Sequence, residues 1–338
     1  MRTRGTALVT GVTGQDGSFL AEELLSAGYD VLGTRRPTVS LWTHHPNLQL
    51  AQKIASSTGC CLRVADVDLS CTHSVRSVMR DARPTLIFNL AAQSHVGTSF
   101  SRPEYTLDIT GIGAARVIDA AIEELGDSCR VYQASSSEMF GDTGAGGVKL
   151  SSASQFSPRS PYAAAKLLAH NLAALHRKRG AFVSAGILFN HESERRGETF
   201  VTRKITKSIA SIKLGLTHSF GLGDTTSRRD WGYAPDYVSA MMKSLELDEP
   251  CEFVLGTGVS RSVQDFLETA ADIAGISRAR LSAIVTTDAS AKRPLDIGEL
   301  VADETEALQR LGWRPTVSFE KMIEIMLDND VRELGGHK

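Results

Sequence analysis

Ala7-Leu8-Val9-Thr10-Gly11-Val12-Thr13-Gly14-Gln15-Asp16-Gly17 is the stretch that decides the fold. Residues 7–10 have the apolar, β-branched character of a buried strand. Three glycines then stand three apart, and 16–27 reads as a helix closed by Gly28. A turn this tight needs the backbone freedom of glycine. A diphosphate needs close backbone approach and free N–H groups at a helix N-terminus. An ordinary glycine turn would account for the triplet in isolation. Its place after a strand and before a helix favours a dinucleotide loop, although the spacing is G-x-x-G-x-x-G, not G-x-G-x-x-G.

Outward from this loop, short β-rich runs alternate with helical patterns. Strands are expected at 29–33, 62–65, 86–89, 130–134 and 182–188, and helices at 105–125 and 160–179. Ser160 suits the cap of the last helix and Pro161 its first position. Such alternation implies an α/β fold, a doubly wound parallel sheet with helices on both faces. After about residue 190 the pattern loosens, with helices at 236–247, 263–274 and 318–333. We therefore expect a nucleotide-binding domain over 1–190 and a smaller C-terminal α/β substrate lobe over 191–338, some segments of which cross back to the sheet.

Composition narrows the function. The 338 residues are 42% hydrophobic and 22% charged, which excludes disorder as the main state. With 37 Lys and Arg against 39 Asp and Glu, the net charge of −2 argues against a nucleic-acid partner. No apolar run approaches the roughly 20 residues that span a bilayer. The N-terminus shows no signal-peptide pattern. Cys60, Cys61, Cys71, Cys129 and Cys251 form no C-x-x-C pair and read as reduced thiols of a cytoplasmic protein. No cluster has metal-site spacing, so no metal is expected.

Three further segments carry chemistry. Thr34-Arg35-Arg36 stands at the end of the second strand, where a dinucleotide site that prefers NAD usually has an acid. Two guanidinium groups suit a 2′-phosphate, so the reading is NADP. Tyr162-Ala-Ala-Ala-Lys166 places a phenol and an ammonium one helical turn apart. A nearby ammonium should lower the phenol's pKa and fit it to take a proton from a sugar hydroxyl. Ser135-Ser136-Ser137-Glu138 ends the fifth strand, and all four are expected beside the nicotinamide. A carboxylate as a second acid/base points to a further proton transfer, as in elimination of water.

With Gln93-Ser94-His95-Val96, Phe189-Asn190-His191-Glu192-Ser193, Arg195-Arg196-Gly197, Phe200-Val201-Thr202-Arg203-Lys204-Ile205 and Arg229-Asp230-Trp231-Gly232, these segments resemble the GDP-mannose 4,6-dehydratase family along nearly the whole chain. The resemblance implies conversion of GDP-mannose to a GDP-4-keto-6-deoxy sugar and water. Tyr162, tuned by Lys166, would deprotonate the C4 hydroxyl. Glu138 would remove the C5 proton and assist loss of the C6 hydroxyl, and Ser136, where the family commonly has threonine, would bond O4. It implies NADP on Gly11, Thr13, Gly14, Gln15, Asp16, Gly17, Arg35, Arg36, Asp66, Leu90, Ala91, Ala92, Tyr162, Lys166, Leu188, Asn190, His191 and Arg196. It implies the GDP-sugar on Ser94, Ser136, Ser137, Glu138, Asn190, Glu192, Val201, Lys204, Leu222, Arg229, Arg293 and Asp296. Arg195, Arg203 and Arg228 are further cationic candidates for the diphosphate.

The chain departs from the family in places. Arg293-Pro-Leu-Asp-Ile-Gly298 stands where the family reads Arg-Pro-x-Glu-Val-Asp, Tyr233 replaces a histidine, and Phe140 replaces a tyrosine. The 37–59 segment differs from the family loop that helps build a tetramer, so the expected assembly is a homodimer or homotetramer. These changes leave open another GDP-sugar, such as a GDP-manno-heptose, or a nucleotide-sugar epimerase or reductase.

Overall fold

The computed structural model describes residues 3–37, 45–144, 147–288 and 297–336. Arg293 and Asp296 lie outside them. Seven strands form the main sheet: β1 (Thr6–Thr10), β2 (Asp30–Arg35), β3 (Leu62–Asp66), β4 (Leu86–Asn89), β5 (Arg130–Ser136), β7 (Val183–Leu188) and β11 (Glu252–Leu255). All neighbours are parallel, in the order β11-β7-β5-β4-β1-β2-β3. The order reverses between β1 and β4, so a crevice opens at the carboxyl ends of these strands, the usual place for a ligand in such sheets.

Apolar helices cover both faces. Leu20, Leu24 and Leu25 pack with Val238 and Met241 on one side, while Leu8, Ile87, Val117 and Ile118 fill the other. A second sheet has the order β12-β10-β14-β6, built from β6 (Lys149–Leu150), β10 (Arg228–Tyr233), β12 (Ser260–Ser262) and β14 (Glu299–Ala302), with β8 (Asn190–Glu192) also paired to β10. A short pair, β9 (Phe220–Leu222) and β13 (Val285–Thr287), completes the strands among the described residues. Ile205, Ile209, Trp231, Phe266, Met322 and Met326 form the core beside the second sheet. β11 comes late in the chain yet pairs with β7 in the main sheet.

The single helix expected over 105–125 is divided. Pro103–Thr106 and Gly113–Leu125 flank a π-helical turn, Leu107–Ile112. The turn lies against the helix Pro161–Lys178: a Cβ on Gly111 would stand 3.1 Å from Leu168 Cδ2 and 3.3 Å from the Ala165 carbonyl oxygen. A glycine there lets the two backbones approach. The helices Thr72–Ala82 and Val201–Lys213 were not anticipated in the sequence. Thr72–Ala82 buries only Val75 and Met79, so its apolar stripe is thin.

Candidate active site

The loop after β1 is a cradle that only glycine can build. Gly11 has a left-handed backbone (φ 72°), and a Cβ on it would lie 3.1 Å from Ala91 Cα. A Cβ on Gly17 would lie 2.4 Å from the Gly11 carbonyl oxygen. Gly14 occupies the N-cap of Gln15–Ser26 without a side-chain cap, so the helix start presents backbone N–H groups, as a diphosphate requires. The next strand is fitted to the loop as well, since a Cβ on Gly33 would meet Val12 Cγ1 at 2.4 Å.

Buried polar side chains tie the strand ends together. Thr10 Oγ1 donates to Asn89 Oδ1 (2.9 Å) and accepts from the N–H groups of Leu90 and Ala91 (3.0 Å each). Asn89 Nδ2 donates to Gln133 Oε1 (2.8 Å). This Thr10–Asn89–Gln133 chain is barely visible in the sequence. Its only trace there is a polar residue closing each of two apolar strands. At the end of β2, Arg35 Nε meets Asp66 Oδ1 at 2.7 Å, and Arg36 Nη1 donates to Tyr105 Oη (2.6 Å). The two arginines therefore stand together at the carboxyl end of β2, each held by a neighbouring side chain.

Asp16 and His191 bind each other across the two parts of the chain. His191 Nε2 lies 2.9 Å from Asp16 Oδ2, Nδ1 lies 2.7 Å from the Phe189 carbonyl oxygen, and the ring stacks on Tyr237 at 4.6 Å. Both partners of the ring are acceptors, so the pocket favours the protonated, doubly donating ring. Burial works against that charge, but Asp16 and the carbonyl outweigh it and raise the His191 pKa. Burial likewise opposes the Asp16 charge, and His191 overcomes it, leaving the Asp16 pKa below its usual value. The pair neutralises a carboxylate in the first turn of the helix Gln15–Ser26. Around it, Gln15 Nε2 donates to the His191 carbonyl (3.1 Å) and accepts through Oε1 from Ser193 Oγ (2.8 Å).

Ser136, Glu138, Tyr162 and Lys166 come together at the end of β5. Ser136 caps the short helix Ser137–Phe140, accepting from the Glu138 N–H at 3.3 Å. Ser136, Glu138, Tyr162 and Lys166 are all buried. Burial pushes the Tyr162 pKa up to about 12, aided by the Glu138 charge and opposed by the Ser136 hydroxyl. The expected lowering by Lys166 is not found. Lys166 Nζ donates to the Ala134 carbonyl (2.8 Å) and sits 5.9 Å from the phenol ring centroid. Burial disfavours its own charge and brings its pKa down to about 8.

Ser135 also corrects the expectation. Its hydroxyl meets His170 Nδ1 at 2.8 Å, two turns further along the helix than Tyr162.

Several expected ligands already serve one another. Arg196 Nε meets Glu192 Oε2 at 3.0 Å, and its guanidinium lies over Phe200 at 3.6 Å. Thr202 Oγ1 donates to the same Glu192 oxygen (2.7 Å). Arg229 is buried and its Nη1 donates to the carbonyls of Arg228 (2.7 Å) and Ile297 (2.8 Å), holding the chain that follows 289–296. Three other cations are paired with carboxylates. Arg195 pairs with Glu22 (2.7 Å), Arg203 with buried Asp330 (2.7 Å), and Arg228 with Glu299 (3.1 Å). Lys204 Nζ stands 3.8 Å from Asp288, at the β9–β13 pair that carries buried Leu222. Val201 opens the helix Val201–Lys213, Asn190 pairs with Trp231 between β8 and β10, and exposed Ser94 precedes His95, whose ring meets Phe200 edge-on. Tyr233 Oη donates to Glu194 (3.2 Å), and Phe140 is buried, stacked on Phe156 at 5.1 Å. Among the described residues no group of three potential ligands could hold a metal ion, and no helix is long and apolar enough to cross a membrane.

Comparisons with known proteins agree with this geometry. The family model described as GDP-mannose 4,6 dehydratase matches residues 8–326. GDP-mannose 4,6 dehydratase 1 of Arabidopsis thaliana is 40% identical, over 98% of this chain and 91% of the relative. The Homo sapiens GDP-mannose 4,6 dehydratase is 39% identical, over 98% of this chain and 92% of the relative. A solved structure of DesIV, a dTDP-glucose 4,6-dehydratase from Streptomyces venezuelae with NAD and TYD bound, superposes with a TM-score of 0.81 at 22% identity, covering 98% of each chain.

Proposed function

The chain belongs to the GDP-mannose 4,6-dehydratase family, and from that premise we propose that it is an NADP-dependent hydro-lyase converting GDP-mannose to GDP-4-keto-6-deoxymannose and water. The observation that carries this reading is the burial of Glu138 beside Tyr162 and Ser136, two groups able to move protons in one pocket.

The glycine cradle fits a dinucleotide: Gly11, Gly14 and Gly17 leave room for the diphosphate, and the start of Gln15–Ser26 supplies N–H groups. Arg35 and Arg36 support NADP over NAD, because each adds a cation at the ribose end. The chemistry the cofactor supplies when bound is acceptance of hydride from C4 and its return to C6, with a positive nicotinamide that favours phenolate. Tyr162 takes the C4 hydroxyl proton, and Ser136 bonds the same oxygen. Lys166, fixed on the Ala134 carbonyl, holds a cation at the base of that site. The 4-keto group acidifies C5–H, and Glu138 removes that proton. The same carboxyl group then protonates the departing C6 hydroxyl as water, and when hydride returns to C6 the carbon C5 takes up one proton, matching the one Tyr162 removed from O4, so atoms balance with one water lost. Lys204 and Arg229, with Arg293 and Asp296, are proposed to hold the GDP moiety, and Glu192 to shape the pocket. A homodimer or homotetramer in the cytoplasm completes the reading. Leu107, Ile112, Leu168 and Leu175, exposed on neighbouring helices, offer a face for a second copy.

The test is incubation with GDP-mannose and trace NADP, with GDP-manno-heptose in a parallel arm. Water loss from GDP-mannose without net NADPH supports the reading; turnover of the heptose alone replaces the substrate.

A further inference from the structure

We propose that His170 is a positioning residue for the proton-transfer groups, acting through Ser135. The inference rests on the dehydratase reading above. Tyr162, Lys166 and His170 recur every four residues and share one face of Pro161–Lys178. Each meets one of three consecutive residues at the end of β5. Lys166 Nζ donates to the Ala134 carbonyl (2.8 Å) and His170 Nδ1 meets Ser135 Oγ (2.8 Å), while Tyr162 faces the Ser136 hydroxyl. The helix and the strand are thus keyed together at three successive levels.

The third level is supported from behind. His170 Nε2 lies 3.4 Å from Glu252 Oε1 on β11, and Arg177 Nη2 donates to Glu252 Oε2 (2.6 Å). Arg177 Nη1 in turn donates to the Val183 carbonyl (3.1 Å), and Phe156 meets the His170 ring edge-on at 5.2 Å. An ionised Glu252 only accepts, so Nε2 is the ring's donor on that side, and the ring's other nitrogen shares a hydrogen bond with the Ser135 hydroxyl. Ser135 and His170 are buried with 2% exposure each, too enclosed to meet a sugar. Their hydrogen bond fixes the rotation of the strand end one residue before Ser136 and three before Glu138. Catalytic groups tolerate little displacement, since about 1 Å of misplacement costs on the order of a hundredfold in rate.

The experiment uses the full chain loaded with NADP. An asparagine amide occupies the place of Nδ1 and a glutamine amide that of Nε2, so the two variants separate the contacts. Ser135→Ala and His170→Gln are expected to lower kcat about tenfold, with KM for GDP-mannose within about twofold and melting temperature nearly unchanged. The double variant should be no worse than either single one, because both remove the same contact. His170→Asn, which keeps a partner for Ser135, should restore most of kcat. Wild-type kcat in Ser135→Ala overturns the proposal, and that variant, which removes one hydroxyl, decides the matter even if His170 variants fail to fold. Losses that multiply in the double variant, or that fall in KM, also overturn it. A wild-type protein that binds NADP but leaves GDP-mannose unchanged overturns the functional reading and this inference with it, whereas an active wild type with unaffected variants overturns the inference alone.

Discussion

Replacing Lys166 by methionine should abolish most activity and yet stabilise the cofactor-free protein at neutral pH. Lys166 is buried, and its pKa falls from 10.5 to about 8. At about 1.4 kcal/mol for each tenfold change in a proton equilibrium, holding the charged form in the fold costs about 3 kcal/mol. Methionine has a similar length and no charge. It forfeits the bond to the Ala134 carbonyl, worth about 1 kcal/mol, but Gln133 Nε2 also donates to that oxygen at 2.9 Å, so the acceptor keeps a partner. The net gain at pH 7 is about 2 kcal/mol, or a few degrees in Tm for a chain of this size. The sign fixes the pH dependence. The folded pKa is depressed, so the cost is fully present below about 8 and fades as pH rises toward 10.5. Urea unfolding of cofactor-stripped wild type and Lys166→Met at pH 7 and pH 10 checks both points. A variant less stable than wild type at pH 7, or a gain as large at pH 10, would refute the argument that burial of charge sets this lysine's state.

Glu138→Gln should lower water loss by about a hundredfold or more while NADP still quenches intrinsic fluorescence as in wild type; lost cofactor binding would give Glu138 a structural role instead. Arg35→Ala should raise the calorimetric Kd for NADP far more than that for NAD, and an equal effect on both would remove the 2′-phosphate assignment. His191 has a raised pKa in the fold, so its pairing with Asp16 contributes stability that is complete below the ordinary histidine value of about 6.5 and is lost as pH rises through the folded value. The stability gap between wild type and His191→Asn should accordingly be wider at pH 6 than at pH 9, as read from unfolding midpoints; a constant gap would rule out the imidazolium.

Which parts of this molecule could be read from sequence follows from how local each signal is. The loop Thr10–Gly17 was legible because strand, turn and helix start lie within a dozen residues, and each glycine answers a local steric demand. Tyr162 and Lys166 were legible through helical spacing and a Ser160 cap that accepts from the Ala163 N–H at 3.1 Å. Direction was harder. Ser135 looked like one of three equivalent hydroxyls, and only the arrival of His170 separates it from Ser136. The Asp16–His191 pair joins residues 175 apart in sequence, and neither residue announces the other. The pairings of the arginines were hidden for a related reason. Arg195, Arg203 and Arg228 satisfy carboxylates contributed by distant elements, Glu22, Asp330 and Glu299, which no local pattern reveals. The broken helix around Leu107–Ile112 reflects close packing on Pro161–Lys178, a tertiary demand that overrides the helical periodicity.

The central claim is that one pocket removes water from a GDP-sugar while its cofactor finishes as it began. Mass spectrometry of GDP-mannose incubated with the protein and trace NADP, with absorbance at the NADPH band followed in parallel, tests it most directly. The account predicts a product lighter by one water and no net NADPH. An unchanged sugar, or NADPH formed or consumed in step with product, would contradict it.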